Sequence, residues 1–151
     1  MNEPSKFLTD KVAAGDAVLL AVTARPRPQT LRARLLRIYS TSKCMHGHAV
    51  GDDIEFVHAP SSWGNTALQV GEQGIVFLSS ISGRLYEDAW RGHMVIEEIE
   101  GIAHAIFPHL VVSTDASSPS SRAIQDPKRA YARAIALDDL ERYLRELVAQ
   151  T

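Results

Sequence analysis

Residues 30–40, TLRARLLRIYS, constrain the fold more than any other stretch of this chain. Leu31, Ala33 and Leu35 alternate with Arg32 and Arg34, the period of two that a strand shows when one face is buried and the other is wet. At Leu35-Leu36 the alternation slips by one residue, after which Leu36 and Ile38 take the inward role while Arg37 and Tyr39 face out. A single slip that keeps apolar side chains on one side marks a β-bulge. A strand of about 9 residues spans roughly 30 Å, and a bulge lets a strand that long bend to serve two sides of a closed sheet. The stretch predicts the long, coiled strand of a small barrel.

The chain of 151 residues is long enough to bury a sizeable core in one domain. Its 16 basic and 18 acidic side chains leave a net charge of -2, so overall charge gives no reason to expect a polyanionic partner. Cys44 is the one cysteine, which rules out an internal disulfide and fits a reducing compartment. The opening MNEPSKFLTDKVAAGD carries no apolar signal-like core, and no apolar run reaches membrane-spanning length. The expectation is a cytoplasmic protein with no membrane partner.

In chain order, residues 4–14 suggest a short helix or docked arm, stopped at Gly15-Asp16. DAVLLAVTA, residues 16–24, is apolar on both faces and predicts a central strand covered on both sides, which Pro26 and Pro28 should then break. The bulged strand follows, so the two should pair antiparallel. Further strands are expected over 53–58, with Ile54 and Phe56 inward, and over 74–79, 84–90, 93–98 and 129–137. Residues 99–112 read either as strand or as a short helix from Ile102 to Ile106 stopped by Pro108. Loops are expected over 41–52, 59–72 and 113–127, the last one mobile. The clearest helix covers 138–149, with Asp138 and Glu141 spaced as a capping box and Leu140, Leu144, Leu147 and Val148 on the face that should meet the barrel.

The succession GDAVLLAVTA, LRARLLRIYS, VGDDIEFVHAP, VGEQGIVFLSS and SGRLY resembles the bacterial barrel domains akin to tissue inhibitors of metalloproteinases and netrin modules, over roughly residues 12–90. The resemblance implies a mainly β protein with a small OB-like closed barrel, and a function by binding rather than catalysis. The cysteine-anchored N-terminal edge of those domains has no counterpart here, so inhibition of metalloproteinases is not carried over.

Three groups of side chains carry candidate chemistry. Cys44, His46 and His48 are ligand types close together, but C-x-H-x-H is not a usual zinc spacing, and an ordinary solvated loop is the better reading of them. Arg25, Arg27, Arg32, Arg34, Arg37 and Lys43 are followed by no acid before Asp52; with Tyr39, the residues Arg32, Arg34 and Arg37 could form a single-stranded nucleic-acid face, or pair with acids such as Glu55, Glu87 or Asp88 across the sheet. Asp52, Asp53 and Glu55, then Glu97, Glu98 and Glu100, form two acidic runs that are either solvated surface or a complement to a basic partner, with Trp63 as a possible interface anchor. No G-x-S-x-G, H-E-x-x-H or G-x-x-x-x-G-K motif is present. The expectation is therefore a non-enzymatic, cofactor-free protein-binding module, with a cytoplasmic immunity protein masking a basic bacterial toxin domain as its sharpest form. A single-stranded nucleic-acid binder is the alternative, and a metal-binding enzyme or sensor a weaker one.

Overall fold

The computed structural model describes residues 3–59, 66–88, 92–108 and 119–150. A helix, α1 (Glu3–Ala14), leads into five strands: β1 (Asp16–Arg27), β2 (Thr30–Ile38), β3 (Asp53–Val57), β4 (Gln73–Ile81) and β5 (Arg84–Glu87). They pair in the order β1-β2-β3-β5-β4, and β4 pairs back onto β1, which closes a five-stranded OB-type barrel. All neighbours are antiparallel except β3 and β5, which run parallel through Phe56 opposite Leu85 and Val57 opposite Tyr86.

The bulge lies where the alternation of β2 slips. Leu19 faces Arg37 while Leu20 faces Leu35, so Leu36 is the unpaired extra residue. Leu31, Ala33 and Leu35 point into the barrel as expected. Beyond the bulge the inward assignment needs correction: Ile38 packs on the barrel core, but Leu36 turns to the helical layer and Tyr39 is buried there. Arg37 stays exposed.

The first strand is likewise longer than its prolines suggest, because β1 runs through Pro26 to Arg27. Its pairing with β4 ends at Ala21 opposite Gln73, so the proline stands where β1 has no strand on its β4 side among the described residues, and its missing N–H breaks no ladder there. The apolar doublet pattern of β1 is explained by two cores. Val18, Leu20 and Val22 face the barrel interior, whereas Ala17 and Leu19 face a second layer.

That second layer is built by α1 and by the elements that follow β5. Strands β6 (His93–Ile99), β7 (Ile102–Pro108), β8 (Ile124–Gln125) and β9 (Ala132–Ala136) extend the sheet beyond β4 in the order β6-β7-β9-β8. Residues 102–108 are thus strand, and the helical reading is overturned; Pro108 ends β7 opposite Ala132. The described part of the expected loop 113–127 holds a 3-10 turn at Pro119–Arg122 and the short β8. The closing helix α2 (Leu137–Ala149) lays Leu137, Leu140 and Leu144 beside Leu8 and Val12 of α1, over Phe77, Phe107 and Ile135 of the sheet.

The capping box expected at Asp138 and Glu141 does not form. Ala136 is the N-cap and no side chain caps it. Glu141 is instead buried and accepts hydrogen bonds from Arg37 Nη1 at 2.5 Å and from the Tyr39 hydroxyl. Among the described residues no helix is long and apolar enough to cross a membrane.

Candidate functional site

Two tight turns shape the open side of the molecule. Ser82 and Gly83, with φ of 52° and 79°, link β4 to β5 in the two-residue, left-handed geometry that hairpins favour. Glu100 and Gly101, at 53° and 79°, do the same between β6 and β7. The first turn keeps β5 paired with β4 along its length, while β5 meets β3 only at Phe56 and Val57. A groove of about 400 Å³ results between Asp53–Val57 on one side and Ser80, Gly83 and Arg84 on the other. A second hollow of about 450 Å³ shares Arg27, Thr30, Val57 and Arg84 with it and adds Pro28, Gln29 and Tyr86. The combined site lies along β3 between the β1–β2 and β4–β5 turns, the region through which OB barrels hold extended ligands.

The charges of this site are sorted by register. Arg32 stands opposite Glu55 and Arg34 opposite Asp53, and their side chains meet at 2.7 Å and 3.4 Å. Arg27 and Arg84 are exposed and have no ion-pair partner among the described residues. Arg25 donates to the Pro28 carbonyl at 2.6 Å. Once the cross-strand pairs cancel, the groove keeps two guanidinium groups, Arg27 and Arg84, that are uncompensated among the described residues.

One wall of the groove is held by a buried carboxylate. Asp16 Oδ2 accepts the backbone N–H groups of Lys43, Cys44 and Met45 at 3.0, 2.7 and 2.9 Å. Burial by itself would raise the Asp16 carboxyl, but these donors and the Ser40 hydroxyl hold it below its ordinary value. The anchored turn drives Met45 into the barrel core and leaves Cys44 on the groove. Burial, followed by the charge of Asp16, pushes the Cys44 thiol up to about 11. Its Sγ donates to the Leu78 carbonyl at 3.2 Å. A protonated, hydrogen-bonded thiol is a poor nucleophile. His46 is exposed, and among the described residues no three His, Cys, Asp or Glu side chains converge on a metal-sized site.

The other expected site residues are dispersed. Tyr39 is 8% exposed, and burial together with its bond to Glu141 pushes its hydroxyl far above the usual phenol range. Its ring faces Arg145 at 5.7 Å, so it offers no free face beside Arg32 and Arg34. Arg37 is tied to Glu141. Of the acids, Asp52 accepts the Ala49 N–H, and Glu97 takes a two-pronged bond from Arg129 at 3.1 and 2.8 Å. That fork, working against burial, holds the Glu97 carboxyl below its ordinary value. Glu98 and Glu100, both exposed, have no such partner among the described residues. The two acidic runs occupy β3 and the β6–β7 hairpin, which β5 and β4 separate in the sheet. Trp63 lies outside the described residues.

Sequence reasoning missed a buried pair at the far end of β5. His93 Nδ1 lies 2.7 Å from Glu87 Oε2, and its Nε2 lies 2.8 Å from the Thr66 carbonyl. A Cβ on Gly92 would stand 2.5 Å from Glu87 Cγ, so only glycine fits beside this pair. The pair fastens residue 66 to the β5–β6 connection. Its signal in the sequence was slight: one acid and one histidine six positions apart, flanking Arg91-Gly92. Compared with known proteins, the chain matches no protein-family model and no curated protein.

Proposed function

We propose that this protein is a non-enzymatic protein-binding module with the β3 groove as a contact surface. The observation that carries the reading is the groove itself: an open cleft of about 400 Å³ on an OB-type barrel, with the guanidinium groups of Arg27 and Arg84 left unpaired among the described residues. Guanidinium groups recognise carboxylates and phosphates by paired hydrogen bonds and are over-represented at protein contacts.

The specific form we propose is a cytoplasmic immunity protein that masks a bacterial toxin domain by occlusion. Its support is segregated charge. Glu98 and the hairpin-tip Glu100 are exposed and unpaired among the described residues, and they offer a basic toxin surface its complement. Affinity capture from the native host's lysate, with and without nuclease, tests the class of partner. One protein retained in both conditions is the expected result. Glu98→Lys with Glu100→Lys should then abolish protection against that protein; retained protection sinks the assignment of the acidic hairpin.

A second reading, a single-stranded nucleic-acid binder, is favoured by the placement of Arg27, Arg84 and the half-buried Tyr86 around one hollow with no carboxylate in its lining. Capture that disappears with nuclease, and affinity that falls steeply with salt, would replace the first reading by this one.

A further inference from the structure

We infer that the open edge of β3 receives an extended, acidic segment of the partner protein as an added strand; the inference rests on the protein-binding reading above. The register fixes which backbone groups are free. His58 N donates to the Gln29 carbonyl and Leu35 N to the Asp52 carbonyl, so the even-numbered residues of β3 turn their polar groups toward β2. Those of Asp53 and Glu55 turn the other way. On that side β5 begins its pairing only at Phe56. The N–H and C=O of Asp53 and the N–H of Glu55 consequently face the groove with no strand opposite them among the described residues.

An edge that presents both donors and an acceptor is a template for another polypeptide strand, which supplies both in return. A single-stranded DNA backbone supplies phosphate acceptors but no donor for the Asp53 carbonyl, which favours peptide over such an oligonucleotide as the occupant. Charge sets the kind of peptide. The carboxylates of Asp53 and Glu55 are already engaged by Arg34 and Arg32, whereas Arg27 and Arg84 flank the groove unengaged among the described residues. A strand with carboxylates on alternate positions satisfies both backbone and guanidinium groups.

The test uses a fluorescein-labelled peptide of alternating Glu and Val, its Lys-Val counterpart and a labelled oligothymidine, each titrated against the whole protein and read by anisotropy. The Glu-Val peptide should bind more tightly than either, and slow amide exchange at Asp53 and Glu55. N-methylation of one alternate set of its residues should abolish binding while the other set leaves it intact, a comparison that does not alter the protein. Arg27→Glu with Arg84→Glu should weaken binding at least about tenfold. No binding up to about 1 mM, indifference to the N-methyl position, or tighter binding of oligothymidine overturns the inference. The underlying reading fails separately. A lysate partner that still binds the Arg27→Glu, Arg84→Glu protein sinks the added strand alone, and a lysate that yields no protein partner sinks the protein-binding reading with it.

Discussion

Asp16 shows how one side chain can position a whole wall of a site. Its carboxylate is fully buried and gathers three backbone N–H groups from a single turn, so that turn, with Met45 in the core and Cys44 on the groove, depends on the negative charge. Hydrogen bonds to a buried charged group are worth more than neutral ones, and loss of the charge is expected to cost about 1–3 kcal/mol. Asp16→Asn should lower the stability measured by urea unfolding at neutral pH by that amount. Because the folded carboxyl is held below its ordinary value, its contribution is complete above the unfolded value of about 4 and is lost as pH falls through the lower folded value. The gap between the native protein and Asp16→Asn should therefore narrow in acid. A gap that is constant down to the acid transition would show that Asp16 acts through shape alone.

At the scale of elements, β2 was legible because its alternation and its bulge are local facts, written in Leu31, Ala33, Leu35 and the extra Leu36. The extent of β1 was not legible, since whether Pro26 breaks a strand depends on whether β4 still lies alongside, and that pairing stops at Ala21. The same distinction explains α2. Its apolar face was readable from spacing, but Glu141 was misassigned to a cap because its true partners, Arg37 and Tyr39, lie 104 and 102 positions away in the chain. The groove was hidden for this reason too: Arg27 and Arg84 look like any surface arginines until the turns that carry them are folded toward β3. The Glu141 link is open to measurement. A double-mutant cycle of Arg37→Met and Glu141→Gln should give a coupling of about 1 kcal/mol, in the lower part of the range for contacting residues because Arg37 is half exposed to solvent. A coupling near zero would mean that the Arg37–Glu141 contact adds nothing to the hold that Leu137, Leu140, Leu144 and the Tyr39 bond give α2.

For the molecule as a whole, the decisive feature is that β1 and β4 belong to two cores at once. Val18 and Leu20 with Val76 and Leu78 fill the barrel, while Leu19 with Ile75 and Phe77 meets the helical layer on the opposite face. The barrel cannot open without stripping the strands on which α1 rests, and α1, with α2 packed beside it, cannot leave without exposing the other face of the same strands. Shared strands of this kind couple the two cores into one cooperative unit. Leu20 and Leu144 are both fully buried, one in each core, and truncating either to alanine removes packing worth about 2–5 kcal/mol. Leu20→Ala and Leu144→Ala should each shift the whole unfolding transition, with helix content and the hydrogen-exchange protection of the barrel amides falling together in urea. If Leu144→Ala instead released the helical signal in a separate early step, the barrel would be an independent folding unit and the outer layer an accessory to it.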